Sequence, residues 1–126
     1  MKKPRHLSPG DTVAIVSLSA GTLGEPWAIH KLDIARRRLE EDYGLKVRVM
    51  PNALKGRDYL YRHPEARAAD LMDAFRDPEI RGVFNAIGGE DTIRLLPYID
   101  FDVLARDPKI FTGFSDTTSN HLMLYK

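Results

Sequence analysis

The sequence predicts an α/β protein with an open parallel sheet, and three observations lead to that prediction. Short apolar runs alternate from end to end with segments whose apolar residues recur at helical spacing. The first run is continuously apolar, which is typical of a parallel strand buried on both faces. No internal repeat breaks the alternation, so the chain is predicted to be a single β-α-β-α-β-α-β-α unit.

The first half of the chain supplies two strands and the helix between them. Residues 12–17 form the apolar run, which follows a Pro-Gly-Asp turn, and residues 46–50 alternate in polarity, which places the second strand nearer an edge. The helix is predicted to begin at Pro26 and to end before Gly44, a residue suited to a left-handed C-terminal cap. Its apolar stripe consists of Ala28, Leu32, Ala35 and Leu39.

The second half continues the same alternation. Residues 51–63 are polar and rich in turn formers. Pro64 then opens a helix that ends at Asp77-Pro78. The later elements follow in chain order: a strand at residues 82–87, a short helix at 93–96, a strand at 109–112 and a last helix from Asp116.

This order of elements also predicts the topology. Crossovers between parallel strands are right-handed, so the simplest arrangement is a flavodoxin-like three-layer α/β/α fold with strand order 2-1-3-4. Ligands of such sheets bind beyond the carboxyl ends of the strands. Three loops fall there, at residues 17–21, 88–91 and 115–118, and they are the candidate functional segments.

Length and composition favour one ordinary globular domain. The 126 residues suffice for a single core, and the formal net charge of +1 indicates no electrostatic partner. Basic residues are interspersed with acidic ones, which argues against nucleic-acid binding. The absence of cysteine excludes disulfides and thiolate chemistry. Neither a signal sequence nor a membrane span is recognisable, so we expect a cytoplasmic protein with no membrane partner.

The segment around Ser115 has the pattern of a nucleophile elbow. An apolar strand runs into Gly113-x-Ser115 and then into a helix start at Asp116. Such an elbow needs a strand to deliver the serine, a small residue two positions earlier, and free helix N–H groups that face an oxyanion. The glycine usually found two residues after the serine is Thr117 here. Ser115 is therefore a candidate nucleophile, and the alternative is that it only caps the last helix.

A glycine turn, residues 88–91, follows the predicted strand at residues 82–87. The main-chain N–H groups of Gly89 and Asp116 are the candidate oxyanion hole, because glycine lets a substrate approach the backbone closely. A plain turn or a phosphate-binding loop is the alternative, yet the turn matches neither G-x-G-x-x-G nor a Walker pattern. Gly88, Glu90 and Asp91 are candidate substrate contacts, although the two acidic side chains could simply favour the positive end of a helix.

The sequence offers no evident base for Ser115. A serine hydroxyl is a poor nucleophile unless a neighbouring base accepts its proton. The four histidines are His6, His30, His63 and His121. His121 follows Ser115 on the same predicted helix after about 600° of rotation, so it points to another face. We expect all four to be surface or packing residues.

The chain carries three spaced motifs: AIGGED at residues 86–91, RLLPYID at 94–100 and GFSDTT at 113–118. In these motifs, and in further likeness at 7–11 and 66–71, the sequence resembles the serine peptidase family of LD-carboxypeptidases and microcin-immunity proteins, and it is most similar to the microcin-immunity branch. The resemblance implies an acyl-enzyme on Ser115, no metal or organic cofactor, and a C-terminal domain that supplies the glutamate and histidine of a Ser-Glu-His triad. Residues 1–126 then resemble the nucleophile-bearing N-terminal domain, which should be nearly inactive by itself.

Two classes of function remain open at this point. The family cleaves an amide next to a D-residue in murein peptides or, in the microcin-immunity branch, an amide that joins an amino acid to a nucleotide-like group. Such an enzyme would take a small peptide or peptide-nucleotide substrate, and the full-length protein would be a candidate homodimer. The alternative is a non-enzymatic flavodoxin-like domain that binds or senses a small ligand. Its most familiar form, a receiver domain, has acidic residues after the first strand, where this chain has Ser17-Leu18-Ser19.

Overall fold

The computed structural model describes residues 2–126, which form a four-stranded parallel sheet with helices on both faces. The strands are β1 (Thr12–Val16), β2 (Lys46–Val49), β3 (Ile80–Asn85) and β4 (Ile110–Thr112). Their spatial order is β2-β1-β3-β4, and each pairing is parallel. The predicted sheet and its 2-1-3-4 order are confirmed, and β2 is an edge strand as its alternating sequence indicated.

Five α-helices are present in residues 2–126. They are α1 (His30–Arg37), α2 (Arg57–Arg62), α3 (Pro64–Arg76), α4 (Phe101–Arg106) and α5 (Thr118–Tyr125). A π-helical segment, Arg38–Asp42, extends α1, and 3-10 segments lie at Thr22–Gly24, Thr92–Tyr98 and Ser115–Thr117. Within the described range, none of these helices has both the length and the apolar character that crossing a bilayer requires.

Two clusters of buried apolar side chains hold the helices onto the sheet. Ala14 and Val16 of β1 belong to the larger cluster, with α3 and α4, whereas Ile15 belongs to the smaller cluster, with α1. Successive side chains of a strand point to opposite faces, so β1 is buried on both sides, as its continuous apolar run predicted. Packing on both faces holds β1 in place, and the loop at its carboxyl end therefore begins from a fixed position.

The start of the first helix differs from the prediction. Helix α1 begins at His30 instead of Pro26, because residues 25–29 form turns in which the N–H groups of Ala28 and Ile29 both bond to the Glu25 carbonyl. Its far end agrees with the prediction. Gly44 adopts φ 67°, the left-handed conformation of a C-terminal cap, and its N–H donates to the Glu40 carbonyl at 3.1 Å.

Two short helices are missing from the sequence prediction. Helix α2 lies inside the polar segment 51–63, where only Leu60 among its residues is buried, so it carries too few apolar positions to show a period. Helix α4 is equally short, yet it carried a usable signal. The Asp100 carboxylate accepts hydrogen bonds from the N–H groups of Asp102 and Val103, which is the pattern of an N-cap.

Candidate active site

The backbone turns sharply at Ser115, between the end of β4 and the start of α5. Ser115 has φ 62°, a left-handed conformation that a residue with a side chain rarely adopts, and its side chain is exposed. Two residues earlier, a Cβ on Gly113 would lie 2.9 Å from Thr117 Cβ and 3.0 Å from Thr117 Oγ1. The turn therefore leaves no room for a larger residue at position 113.

The hydroxyl of Ser115 does not cap a helix. Neither the 3-10 segment Ser115–Thr117 nor α5 receives a side-chain cap, and their N-cap residues are Phe114 and Thr117. No hydrogen bond joins the Ser115 hydroxyl to another group in residues 2–126. The geometry thus disagrees with the helix-cap interpretation and leaves the hydroxyl available at the surface.

The glycine turn after β3 lies directly against this elbow. Strand β3 ends at Asn85, two residues earlier than predicted, because Ile87 takes φ 59° and leaves the extended conformation. A Cβ on Gly88 would lie 3.0 Å from Ser115 Cβ and 3.5 Å from its Oγ. A Cβ on Gly89 would lie 2.9 Å from the main-chain nitrogen of Ala20. Glycine is therefore required at both positions by the close approach of two other loops.

The loop after β1, residues 17–21, contacts both of the other candidate segments, residues 88–91 and 115–118. The Ala20 N–H donates to the Gly88 carbonyl at 3.4 Å. The buried Ser19 hydroxyl donates to the Asp116 carboxylate, and the same carboxylate oxygen accepts the Thr92 N–H at 2.9 Å. All three loops at the carboxyl ends of the strands are thus joined by hydrogen bonds around Ser115.

A buried arginine, Arg67, binds the loop after β1 and the glycine turn from the core side of the sheet. The sequence interpretation missed this residue. Arg67 of α3 has no solvent exposure, and it donates to the carbonyls of Leu18 and Ser19 at 3.2 and 3.0 Å. Its guanidinium also pairs with Asp91, with N–O distances of 2.9 and 3.3 Å. A usable signal existed, because Arg67 stands one turn before Leu71 on the buried face of α3, where an arginine needs a partner.

Asp91 is therefore an ion-pair partner within the domain. Burial opposes its ionisation, but hydrogen bonds from Arg67 and Arg94 outweigh that effect and hold the pKa of the Asp91 carboxyl below its ordinary value. The Arg94 guanidinium reaches Asp91 at 2.9 Å and the Tyr61 carbonyl at 2.8 Å. Glu90, in contrast, is exposed beside the glycine turn.

None of the histidines is hydrogen-bonded to Ser115. His121 lies 3.4 Å from the Gly113 carbonyl and packs edge-on against Phe111, with the ring centroids 5.0 Å apart. His63 pairs with Glu65 at 2.7 Å, and His6 and His30 are exposed. Within residues 2–126, no three His, Asp or Glu side chains are grouped in a way that could hold a metal ion.

A cleft of about 650 Å³ opens beside the glycine turn. Ser19 and Gly89 line it, together with two largely exposed aromatic residues, Trp27 and Tyr61. Arg57 at the start of α2 also lines it. A larger groove of about 910 Å³ with mostly apolar lining lies between α1 and β3. The smaller cleft is the relevant one here, because Gly89, one of the two candidate oxyanion-hole residues, lines it, whereas Ser115 and Asp116 lie outside its lining.

Comparison with known proteins identifies the class to which this fold and site belong. Residues 13–126 match the model of the LD-carboxypeptidase N-terminal domain, peptidase family S66. The chain therefore belongs to the S66 LD-carboxypeptidase family, and the resemblance seen in the sequence motifs is confirmed.

Two curated relatives represent the two branches of the family. A probable murein peptide carboxypeptidase of Bacillus subtilis is 39% identical over 125 residues, which are 98% of this chain and 37% of that protein. The microcin C7 self-immunity protein MccF of Escherichia coli is 30% identical over 115 residues, 90% of this chain and 32% of that protein. The chain thus spans about a third of the length of these relatives.

Solved structures agree with the family assignment. An MccF-like protein from Streptococcus pneumoniae in complex with AMP has a TM-score of 0.83 and 49% identity over 92% of this chain and 34% of that one. An MccF-like protein from Bacillus anthracis has a TM-score of 0.86 and 29% identity over 99% of this chain and 37% of that one. The microcin C7 self-immunity protein MccF in complex with aspartyl sulfamoyl adenosine has a TM-score of 0.81 and 26% identity, with coverage of 99% and 36%.

Proposed function

We propose that the full-length protein is a serine-type LD-carboxypeptidase and that Ser115 is its nucleophile. The observation that carries this proposal is the exposed Ser115, whose hydroxyl has no hydrogen-bond partner among residues 2–126 and which a left-handed backbone holds against the glycine turn. Family membership supports the same reaction class. The substrate is a murein peptide or a microcin-type peptide-nucleotide, the two classes that the family includes.

The reaction proceeds through two tetrahedral states. The Ser115 oxygen attacks the scissile carbonyl carbon while a base accepts its proton, and the carbonyl oxygen becomes an oxyanion. The main-chain N–H groups of Gly89 and Asp116 are the candidate donors to that oxyanion. Collapse breaks the C–N bond, and the protonated base returns its proton to the leaving amine. Water then hydrolyses the acyl-enzyme by the same route in reverse.

The base belongs to the part of the protein outside residues 1–126 in this proposal. Two observations support that placement: no histidine in residues 2–126 is hydrogen-bonded to Ser115, and the relatives are nearly three times as long as the matched segment. A glutamate and a histidine of a second domain would complete the triad, as the family resemblance implies.

The cleft beside the glycine turn is the proposed substrate site. It opens at Gly89 and is bordered by Glu90 and Asp91, the candidate substrate contacts. Exposed Trp27 and Tyr61 provide flat apolar walls, which commonly orient small ligands in clefts of this size. The AMP and aspartyl sulfamoyl adenosine complexes of the MccF-like relatives support a nucleotide-bearing substrate as one of the two alternatives.

The direct test compares the full-length gene product with its Ser115→Ala variant on an LD-linked murein tetrapeptide and on an aminoacyl-sulfamoyl adenylate. We expect wild type to cleave one of them and Ser115→Ala to lose activity by about 10⁴-fold or more, since loss of a triad member typically removes that much. Ser8→Ala is the matched control, because Ser8 is an exposed serine that precedes β1, at the amino ends of the strands, whereas Ser115 follows β4 at their carboxyl ends. Cleavage that survives in Ser115→Ala would contradict the proposal.

A further inference from the structure

The side chain of Asp116 joins three loops at a single carboxylate oxygen. Asp116 directly follows Ser115, and its Oδ2 accepts the Ser19 hydroxyl from the loop after β1. The same Oδ2 accepts the Thr92 N–H, at 2.9 Å, from the start of the 3-10 segment that follows the glycine turn. One acceptor atom thus links the elbow to both neighbouring loops.

The two loops so linked are the ones that frame Gly89. Ser19 is almost fully buried, and a Cβ on Gly89 would collide with its hydroxyl oxygen. Thr92 lies three residues beyond Gly89 and is fully buried. The position of the Gly89 N–H therefore depends on Ser19 from one side and on Thr92 from the other.

Arg67 holds the same loops from the core side. It donates to the Ser19 carbonyl at 3.0 Å and to Asp91, the residue before Thr92, at 2.9 Å. A buried charge thus fixes the loop positions behind the site. On the elbow side, Asn85 Nδ2 donates to Thr117 Oγ1 at 2.6 Å and Thr92 Oγ1 donates to Asn120 Oδ1 at 3.0 Å. The Asp116 carboxylate adds a link from the residue next to Ser115 to both loops at once.

We propose that the Asp116 carboxylate is a positioning group for the oxyanion hole, which acts by holding the Gly89 loop at a fixed distance from the Asp116 N–H through Ser19 and Thr92. It does not touch the substrate. This inference rests on the proposed function, because it assigns a role in the same site. Its chemistry requires an acceptor oxygen at the Oδ2 position and requires no negative charge.

That requirement makes the inference testable with paired substitutions in the full-length protein. Asp116→Ala keeps the main-chain N–H but removes the acceptor, whereas Asp116→Asn supplies an amide oxygen that can accept both hydrogen bonds. We expect Asp116→Ala to lower kcat by about 100-fold with KM within about threefold, since losing one oxyanion donor costs about 10²–10³ in kcat and the contact forms only in the transition state. Asp116→Asn should recover most of the loss.

Two further variants complete the design. Ser19→Ala removes one of the two hydrogen bonds to the Asp116 carboxylate. It should lower kcat by about tenfold, because a Gly89 N–H that is only partly displaced still stabilises the oxyanion in part. Asp107→Asn is the control: it weakens the ion pairs of Asp107 with Arg81, at 3.1 Å, and with Lys109, at 3.4 Å. These pairs lie before the amino end of β4, away from the elbow at its carboxyl end, so kcat should stay unchanged. Thermal unfolding of each variant shows whether it is folded.

The outcomes separate the two claims. If a folded Asp116→Ala variant has the same kcat as wild type, the inference is overturned and the proposed function stays intact. An Asp116→Asn variant as slow as Asp116→Ala also overturns it, because charge and not position would then matter. Should Asp116→Ala fail to fold, wild-type kcat in Ser19→Ala overturns the inference instead. A wild-type protein that cleaves neither substrate overturns the proposed function and this inference together.

Discussion

A positive φ at Ser115 concentrates backbone strain at the residue that we propose to react. A left-handed conformation costs an L-residue about 1–2 kcal/mol, and such outliers persist only where surrounding contacts fix them. Here the contacts come from Gly88 on one side and from the close packing of Gly113 on Thr117 on the other. In this conformation the Ser115 hydroxyl caps neither the 3-10 segment nor α5.

Among individual residues, the Arg67–Asp91 pair gives the clearest prediction for stability. Asp91→Asn leaves the buried guanidinium without its carboxylate, and we expect a loss of about 3 kcal/mol in the free energy of unfolding at pH 7. Asp73→Asn is the control: the Asp73–Arg76 pair is exposed, so the loss should stay below about 0.5 kcal/mol. Denaturant unfolding of the full-length protein measures both values.

The same pair predicts a pH dependence with a definite sign. Because the folded-state pKa of Asp91 is lowered, its stabilisation is present above the unfolded pKa, about 3.9, and is lost as the pH falls through the folded-state pKa. The stability difference between wild type and Asp91→Asn should therefore be constant between pH 7 and pH 5 and smaller at pH 3. A difference that stays the same at pH 3 would contradict this account.

Among the elements, α4 shows how much a short helix depends on its cap. Six residues cannot form a stable helix alone, so α4 relies on packing of Val103 and Leu104 and on the Asp100 cap. Asp100→Ala should lower the free energy of unfolding by about 1 kcal/mol, as is typical for loss of an N-cap. Asp100→Asn should retain most of the stability, and Asp102→Asn, on the exposed side of the same helix, serves as control. Equal losses for Asp100→Ala and Asp102→Asn would argue against the cap.

At the scale of the whole molecule, the groove between α1 and β3 is a candidate site of self-association. Its lining is mostly apolar over about 910 Å³ and includes Leu39 and Phe84. We expect residues 1–126, produced alone, to self-associate, because exposed apolar patches tend to find a partner. Sedimentation velocity over a range of concentrations measures this, and a compact, stable monomer would contradict it.

A pair of substitutions on α1 tests whether the groove is the surface through which the domain self-associates. Ala35→Glu places a charge in the groove and should weaken self-association, because the carboxylate would have to be desolvated. Ile34→Glu adds the same charge to the same helix at an exposed position outside the groove lining and should leave association unchanged. Equal effects of the two variants would place the contact elsewhere.

The sequence by itself determined the parallel sheet, its strand order and the presence of an elbow at Ser115. Those features follow from local signals, namely apolar runs, helical periodicity and glycine positions, that need no knowledge of distant residues. Only the tertiary structure decided that Arg67 pairs with Asp91 and that the Asp116 carboxylate accepts hydrogen bonds from Ser19 and Thr92. The physical reason is distance along the chain: Ser19 and Asp116 are 97 residues apart, and they meet because the parallel sheet places the carboxyl ends of the neighbouring strands β1, β3 and β4 side by side. Hydrogen bonds of that kind depend on the register of the strands and on the crossovers between them, which no local pattern records.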